Sequence, residues 1–265
     1  MSSNTAIALA PVIPFLGAVL IGLARRNPNI REGITFITAA SLFLLVLSIT
    51  PSVFAGARPS ITIFDLLPGL AIAFEIEPLG MLFALIASFL WIPNSIYSVG
   101  YMRSHDESNQ TRYYICFALS LASAIGLAFS ANLITMFLFY EALTLSTYPL
   151  VTHAGTAEAK RAGRLYLGLL LGTSIGFQLL AIIGTYVIAG TTDFRPGGIL
   201  AGQTGPGVIG VLFALYMFGI GKAAIMPFHR WLPAAMIAPT PVSALLHAVA
   251  VVKGGVFVVL KVIIY

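Results

Sequence analysis

The sequence predicts an all-α polytopic membrane protein of about eight transmembrane helices, with a broken seventh helix and a small external β-hairpin. Composition carries the first part of that prediction: of 265 residues only 9% are charged and 58% are hydrophobic, where a soluble globular chain carries about 25% and 45–50%. The mean hydropathy of +0.97 agrees. The third observation is recurrence, because apolar stretches near the ~20 residues that cross a bilayer follow one another along the whole chain. Disorder, a coiled coil and a disulfide scaffold are excluded, and the lone Cys116 has no internal partner. A net charge of +5 can signal nucleic-acid binding. Here the basic residues sit at the ends of apolar segments, so the expected partner is the lipid bilayer and not a nucleic acid.

Taken in order, the spans are residues 6–24, 33–53, 79–99, 113–129, 133–151, 165–189, 208–225 and 241–264. The first has no basic residue ahead of it and no small-residue cleavage site, so it reads as a retained helix and not a leader. After the second span, Ile61–Phe64 and the run from Ile72 to Glu77 alternate with period two around Pro68 and Gly69, the pattern of a hairpin. Glu75 and Glu77 are expected to be solvated there. Two regions follow: residues 1–78, with two helices and the hairpin, and residues 79–265, a helical core. Between the seventh and eighth spans, Pro227, Pro233, Pro239 and Pro241 fall within fifteen residues, which rules out a continuous helix. The loops after odd-numbered spans hold Arg25, Arg26 and Arg31, then Arg103 and Arg112, then Lys160, Arg161 and Arg164, then Arg230. The other face has Arg58 and Arg195, with Lys261 near the end. The positive-inside rule therefore places both termini outside.

Charges inside the spans are the candidate functional residues. Glu141 lies midway along the fifth span, Lys222 just before the proline-rich break, and Lys253 about twelve residues into the eighth span. Each costs about 2.5–3.5 kcal/mol on insertion scales, so each implies a function and a partner. Lys222 is the expected partner of Glu141. Burial favours a neutral amine and a nearby carboxylate favours the ammonium, so such a pair can load and release a proton; the alternative is a buried ion pair that only fixes packing. His247, six residues before Lys253 and about 120° away around the helix, and His229 are candidate relay groups because histidine titrates near neutrality. His105 and His153 fall in loops, with no specific role expected. No phosphate-binding loop, cysteine cluster, haem pair or zinc set occurs, so no cofactor or metal is expected in this chain.

The run from Met226 through Pro227, His229, Trp231, Pro233, Pro239, Pro241 and His247, followed by Val252-Lys253-Gly254-Gly255-Val256, resembles the signature of the antiporter-like subunits of respiratory complex I, Mrp-type sodium/proton antiporters and membrane-bound hydrogenases. The likeness extends upstream through Gly221-Lys222-Ala223 and Tyr140-Glu141-Ala142, over roughly two-thirds of the chain. It implies proton translocation through Glu141, Lys222, His247 and Lys253, with exchange for sodium left open, in the inner (plasma) membrane of a prokaryote. It also implies other membrane subunits as partners. Family members resemble a fourteen-helix plan of two inverted repeats, whereas this sequence holds one, so either it is a fragment of a longer protein or the second half is a separate subunit, which would then be a further partner. A subunit of a proton-pumping oxidoreductase and a secondary antiporter both fit. The alternative function is a structural membrane subunit that anchors a redox arm without conducting ions.

Overall fold

The computed structural model describes residues 3–67 and 69–265. Eight helical segments follow one another: α1 (Ser3–Leu23), α2 (Pro28–Phe54), α3 (Pro78–Ser104), α4 (Gln110–Ala128), α5 (Leu133–Val151), α6 (Ala157–Ala189), α7 (Pro206–Gly219) and α8 (Thr240–Ile264). Seven of these, all but α7, are long and apolar enough to cross a membrane. Between α2 and α3, strands β1 (Ser60–Leu67) and β2 (Leu70–Glu75) pair antiparallel as the expected hairpin. Pro68, expected in its turn, lies outside the described residues.

Helix starts follow local chemistry. Pro28 and Pro78 open α2 and α3 at the position where the missing N–H costs nothing. Asn132 and Thr156 cap α5 and α6, accepting from the backbone N–H groups of Thr135 and Ala159 at 2.8 and 3.1 Å. The Thr156 cap explains why α6 begins eight residues before the apolar run: its first turns carry Lys160, Arg161 and Arg164 on a solvated stretch. Helix α4 is the hub, with 78% of its spanning window buried against at most 50% for any other span; it packs between α1, α3 and α5.

Hydrogen bonds define two faces. On one, Ala131 N–H donates to Ala73 O, Glu75 N–H to Phe129 O and Leu133 N–H to Thr192 O, so the hairpin, the α4–α5 link and the α6–α7 link share an end of the bundle. On the other, Arg31 donates to Gln110 at 2.8 Å, Arg103 pairs with Glu32 at 2.5 Å, and Arg112 donates to His153 O at 3.0 Å. The basic loops therefore share the opposite end, as the alternation of charge requires.

Glu77, expected in solvent, and His153, expected in a loop without a specific role, are both buried. Glu77 is 5% exposed. It pairs with Arg58 at 3.3 Å and with Lys261, and accepts from the Tyr265 hydroxyl, tying the start of α3 to the end of α8. Glu77 comes after the hairpin, where the chain turns into the bundle. His153 is 2% exposed, with its ring 3.7 Å from the Glu107 carboxylate.

Candidate functional site: a buried lysine at a broken helix

Helix α7 stops at Gly219 because Ile220 takes a non-helical ψ of 61°, six residues before the expected end of the span. Its 14 residues cover about 21 Å, short of the ~30 Å hydrocarbon core. The crossing is completed by a 3₁₀ turn at Gly221–Ala223 and, beyond Pro227, by short turns through Trp231–Ala234. Unwinding frees backbone groups that have to be satisfied inside a bilayer. Trp231 Nε1–H meets one of them, donating to Gly221 O at 2.9 Å.

Lys222 sits in that unwound stretch and is completely buried. Its Nζ donates to Tyr140 O at 2.7 Å and to Thr144 Oγ1 at 2.5 Å, and its own N–H donates to the Tyr140 hydroxyl at 3.0 Å. The Nζ also lies 3.2 Å from the centre of the Tyr140 ring, a cation–π geometry that is strongest where water is excluded. Tyr140 and Thr144, four residues apart, share one face of α5 and hold the lysine between them. Both went unnoticed as partners in the sequence, although their spacing from Glu141 on one helix was the available signal.

Glu141 is half-buried and does not form an ion pair with Lys222; the expected direct contact is replaced by the Tyr140 carbonyl and Thr144 hydroxyl. The two remain electrostatic neighbours. Both carboxylate oxygens are shielded from solvent without a well-formed hydrogen bond, the Ser174 hydroxyl being the side chain that approaches them. Ser174 opens a π-helical turn, Ser174–Gln178, that interrupts α6. Gln178 at its end is fully buried with neither amide atom partnered, so polar groups gather at this depth.

His247 lies in a second π-helical turn, Leu245–Val249, inside α8. It is half-buried, with Nε2 3.3 Å from Met236 Sδ, and touches neither lysine. Lys253 is exposed on the surface of the described bundle, with no hydrogen-bonding or ionic partner among the described residues. His229, in the 3₁₀ turn Phe228–Arg230, is half-buried with Nδ1 unpartnered. Of the residues singled out from the sequence, the fold therefore clusters Glu141 and Lys222 and leaves His247, Lys253 and His229 apart. Contact with α8 comes instead through Gly255, where a Cβ would overlap the Lys222–Ala223 backbone.

This arrangement sets a fully buried lysine in an unwound helix beside a shielded carboxylate, held by neutral groups and not by that carboxylate. Comparison with known proteins agrees on the setting. The chain is 28% identical over 277 residues to "NAD(P)H-quinone oxidoreductase subunit 5" of the Paulinella chromatophora chromatophore, a match over 96% of this chain and 40% of that protein. It is 31% identical to the chloroplast subunit 5 of Chlorokybus atmophyticus (94% and 42%), and 32% identical over 197 residues to "Putative antiporter subunit mnhA2" of Staphylococcus aureus (71% and 24%). The chain thus spans less than half the length of these relatives. Among solved structures, the Mrp complex from a Dietzia species superposes with a TM-score of 0.84 at 27% identity, over 97% of this chain and 28% of that one. An archaeal membrane-bound sulfane sulfur reductase shares the fold, with a TM-score of 0.82 at 23% identity over 97% and 52%. The transmembrane family described as "NADH:quinone oxidoreductase/Mrp antiporter" matches residues 130–265, which hold both the buried lysine and its α5 partners, and the chain belongs to that family.

Proposed function

We propose that this chain forms one half of a proton-translocating membrane subunit, in which Lys222 is the group that gains and loses the proton and Glu141 sets when it does so. One observation carries the reading: a lysine with no exposed surface is held by a carbonyl, a hydroxyl and a ring face, without a carboxylate in contact. A purely structural buried ammonium would be expected to bind a carboxylate directly, because the desolvation penalty is otherwise uncompensated. Neutral ligands with a carboxylate one step away leave both protonation states accessible.

His247 and Lys253 continue the path in this reading. The exposed Lys253 passes charge to membrane helices beyond the described bundle. The similarity to Mrp and quinone oxidoreductase subunits supports a multisubunit assembly with other membrane subunits as partners; the plasma membrane of a prokaryote belongs to the same proposal, and the basic loops favour both termini outside. Exchange of protons for sodium belongs to the same proposal.

The test is Lys222→Ala in the whole protein within its native complex, reconstituted into liposomes with a pH-sensitive dye inside. Translocation is expected to vanish while the subunits still copurify. Undiminished translocation would overturn the reading, and would favour a membrane anchor that conducts nothing.

A further inference from the structure

The Lys222 site does not end at Thr144. One turn further along the same face of α5, away from the hairpin, Thr147 Oγ1 lies 2.6 Å from the Tyr166 hydroxyl of α6. Thr144, Thr147 and Tyr166 are all completely buried. Thr147 Oγ1 also donates to Leu143 O at 2.6 Å, so the hydrogen between the two hydroxyls comes from Tyr166. The tyrosine ring is fixed edge-on against Trp231, 5.4 Å between centres. Trp231 in turn anchors Gly221 O beside Lys222. These groups form a closed set: the hydroxyls run along α5, and the indole ties the far end of the row back to the broken helix.

We propose that Thr144, Thr147 and Tyr166 form a hydroxyl relay that supplies protons to Lys222 from the end of the bundle bearing Lys160, Arg161 and Arg164. The inference rests on the translocation reading above and extends it to three residues that the family signature does not single out. When Lys222 is neutral, its Nζ takes the Thr144 proton. Thr144 Oγ1 is refilled from Thr147, Thr147 from Tyr166, and Tyr166 from water at the basic end, which is left as hydroxide and neutralised by the bulk. Each oxygen of the relay thus receives one proton as it releases one, and no hydroxyl changes net charge. The turn between Thr144 and Thr147, about 5–6 Å between Cβ atoms, is crossed by reorienting a threonine hydroxyl, and threonine in a helix populates two χ1 wells. No ionisation of the relay groups is needed, which suits hydroxyls in an apolar bundle.

A merely structural role would ask only for shape, so the test removes hydroxyls while keeping volume. In the reconstituted native complex, Thr147→Val and Tyr166→Phe are each expected to slow translocation about a hundredfold or more, the scale of a lost proton-transfer group. Thr147→Ser restores the rate. The residual flux through Thr147→Val should show a larger solvent deuterium isotope effect than the parent, because proton delivery has become limiting. Wild-type rates in both hydroxyl-free variants, with Lys222→Ala still inactive, overturn the relay and leave the role of Lys222 standing. Equal loss in Thr147→Val and Thr147→Ser also overturns it, since packing would then be the cause. Full activity of Lys222→Ala overturns the translocation reading itself.

Discussion

At the scale of single residues, the buried charges sort by what meets them. Glu77 and Lys261 meet each other directly, with side-chain exposures of 7% and 2%, so their pairing is structural. Removing Glu77 leaves Lys261 buried without a carboxylate, at a cost of about 3–5 kcal/mol. Glu77→Gln is therefore expected to lower the melting temperature of the purified complex sharply, and adding Lys261→Met to recover most of the loss. An unchanged melting temperature in the single variant would refute the assignment. His153 is a second case. Burial holds its basicity below the ordinary histidine range and the nearby Arg112 acts in the same direction, against the opposing pull of Glu107. Below pH ~6.5, the ordinary value, an unfolded chain binds a proton that the folded one still refuses. Stability is then full above that pH and falls as the pH drops from there toward the lower folded value. Melting curves from pH 7.5 to 5.5 should show this decline, and His153→Asn should flatten it. The burial of Glu77 and His153 was not legible from the sequence, because each lies just past the end of an element, β2 and α5, and only the tertiary turn of the chain buries it.

At the scale of elements, patterning located the helices, and the surprises lie where backbone chemistry overrides hydropathy. The apolar run 208–225 looks continuous, yet α7 ends at Gly219. The cluster of prolines downstream announced a break, but not that the break lies ahead of Lys222. The π-helical turns Ser174–Gln178 and Leu245–Val249 have no sequence signature, since they place one extra residue in an otherwise regular apolar helix. Such turns are frequent at functional sites, and here they position Ser174 beside Glu141 and carry His247. Helix α8 reaches the unwound stretch only because Gly255 lets two backbones meet: a Cβ there would overlap the Lys222 carbonyl carbon and the Ala223 nitrogen, which belong to main chain and cannot swing aside. Gly255→Ala should therefore push α8 from the 3₁₀ turn, costing about 1–3 kcal/mol as overpacking does, and should reduce translocation although no charge has changed. Parental melting and transport in this variant would show that the contact tolerates a methyl group.

At the scale of the whole molecule, two legible quantities, loop charge and helix count, agree with a third that no sequence displays, the network joining loops at each end. Alternation alone puts the hairpin and the α6–α7 link on one face. The structure adds that both are tied to the α4–α5 link, through Phe194 N–H donating to Ala131 O and Asn132 donating to Ala71 O at 2.7 Å. The fold is thus two polar caps holding an apolar bundle, with the buried lysine between them. Which cap faces the cytoplasm is a separate matter, governed by the basic residues of the α1–α2, α3–α4 and α5–α6 loops through the positive-inside rule. The chain suits a direct test because its single cysteine, Cys116, is buried. Single cysteines at Gln203, exposed on the hairpin cap, and at Ala154, exposed on the basic cap, can be challenged in intact cells with a membrane-impermeant maleimide. Gln203→Cys should label at once and Ala154→Cys only after permeabilisation. The reverse pattern would invert the molecule in the membrane, so that the hydroxyl relay would open on the opposite side and draw its protons from outside the cell.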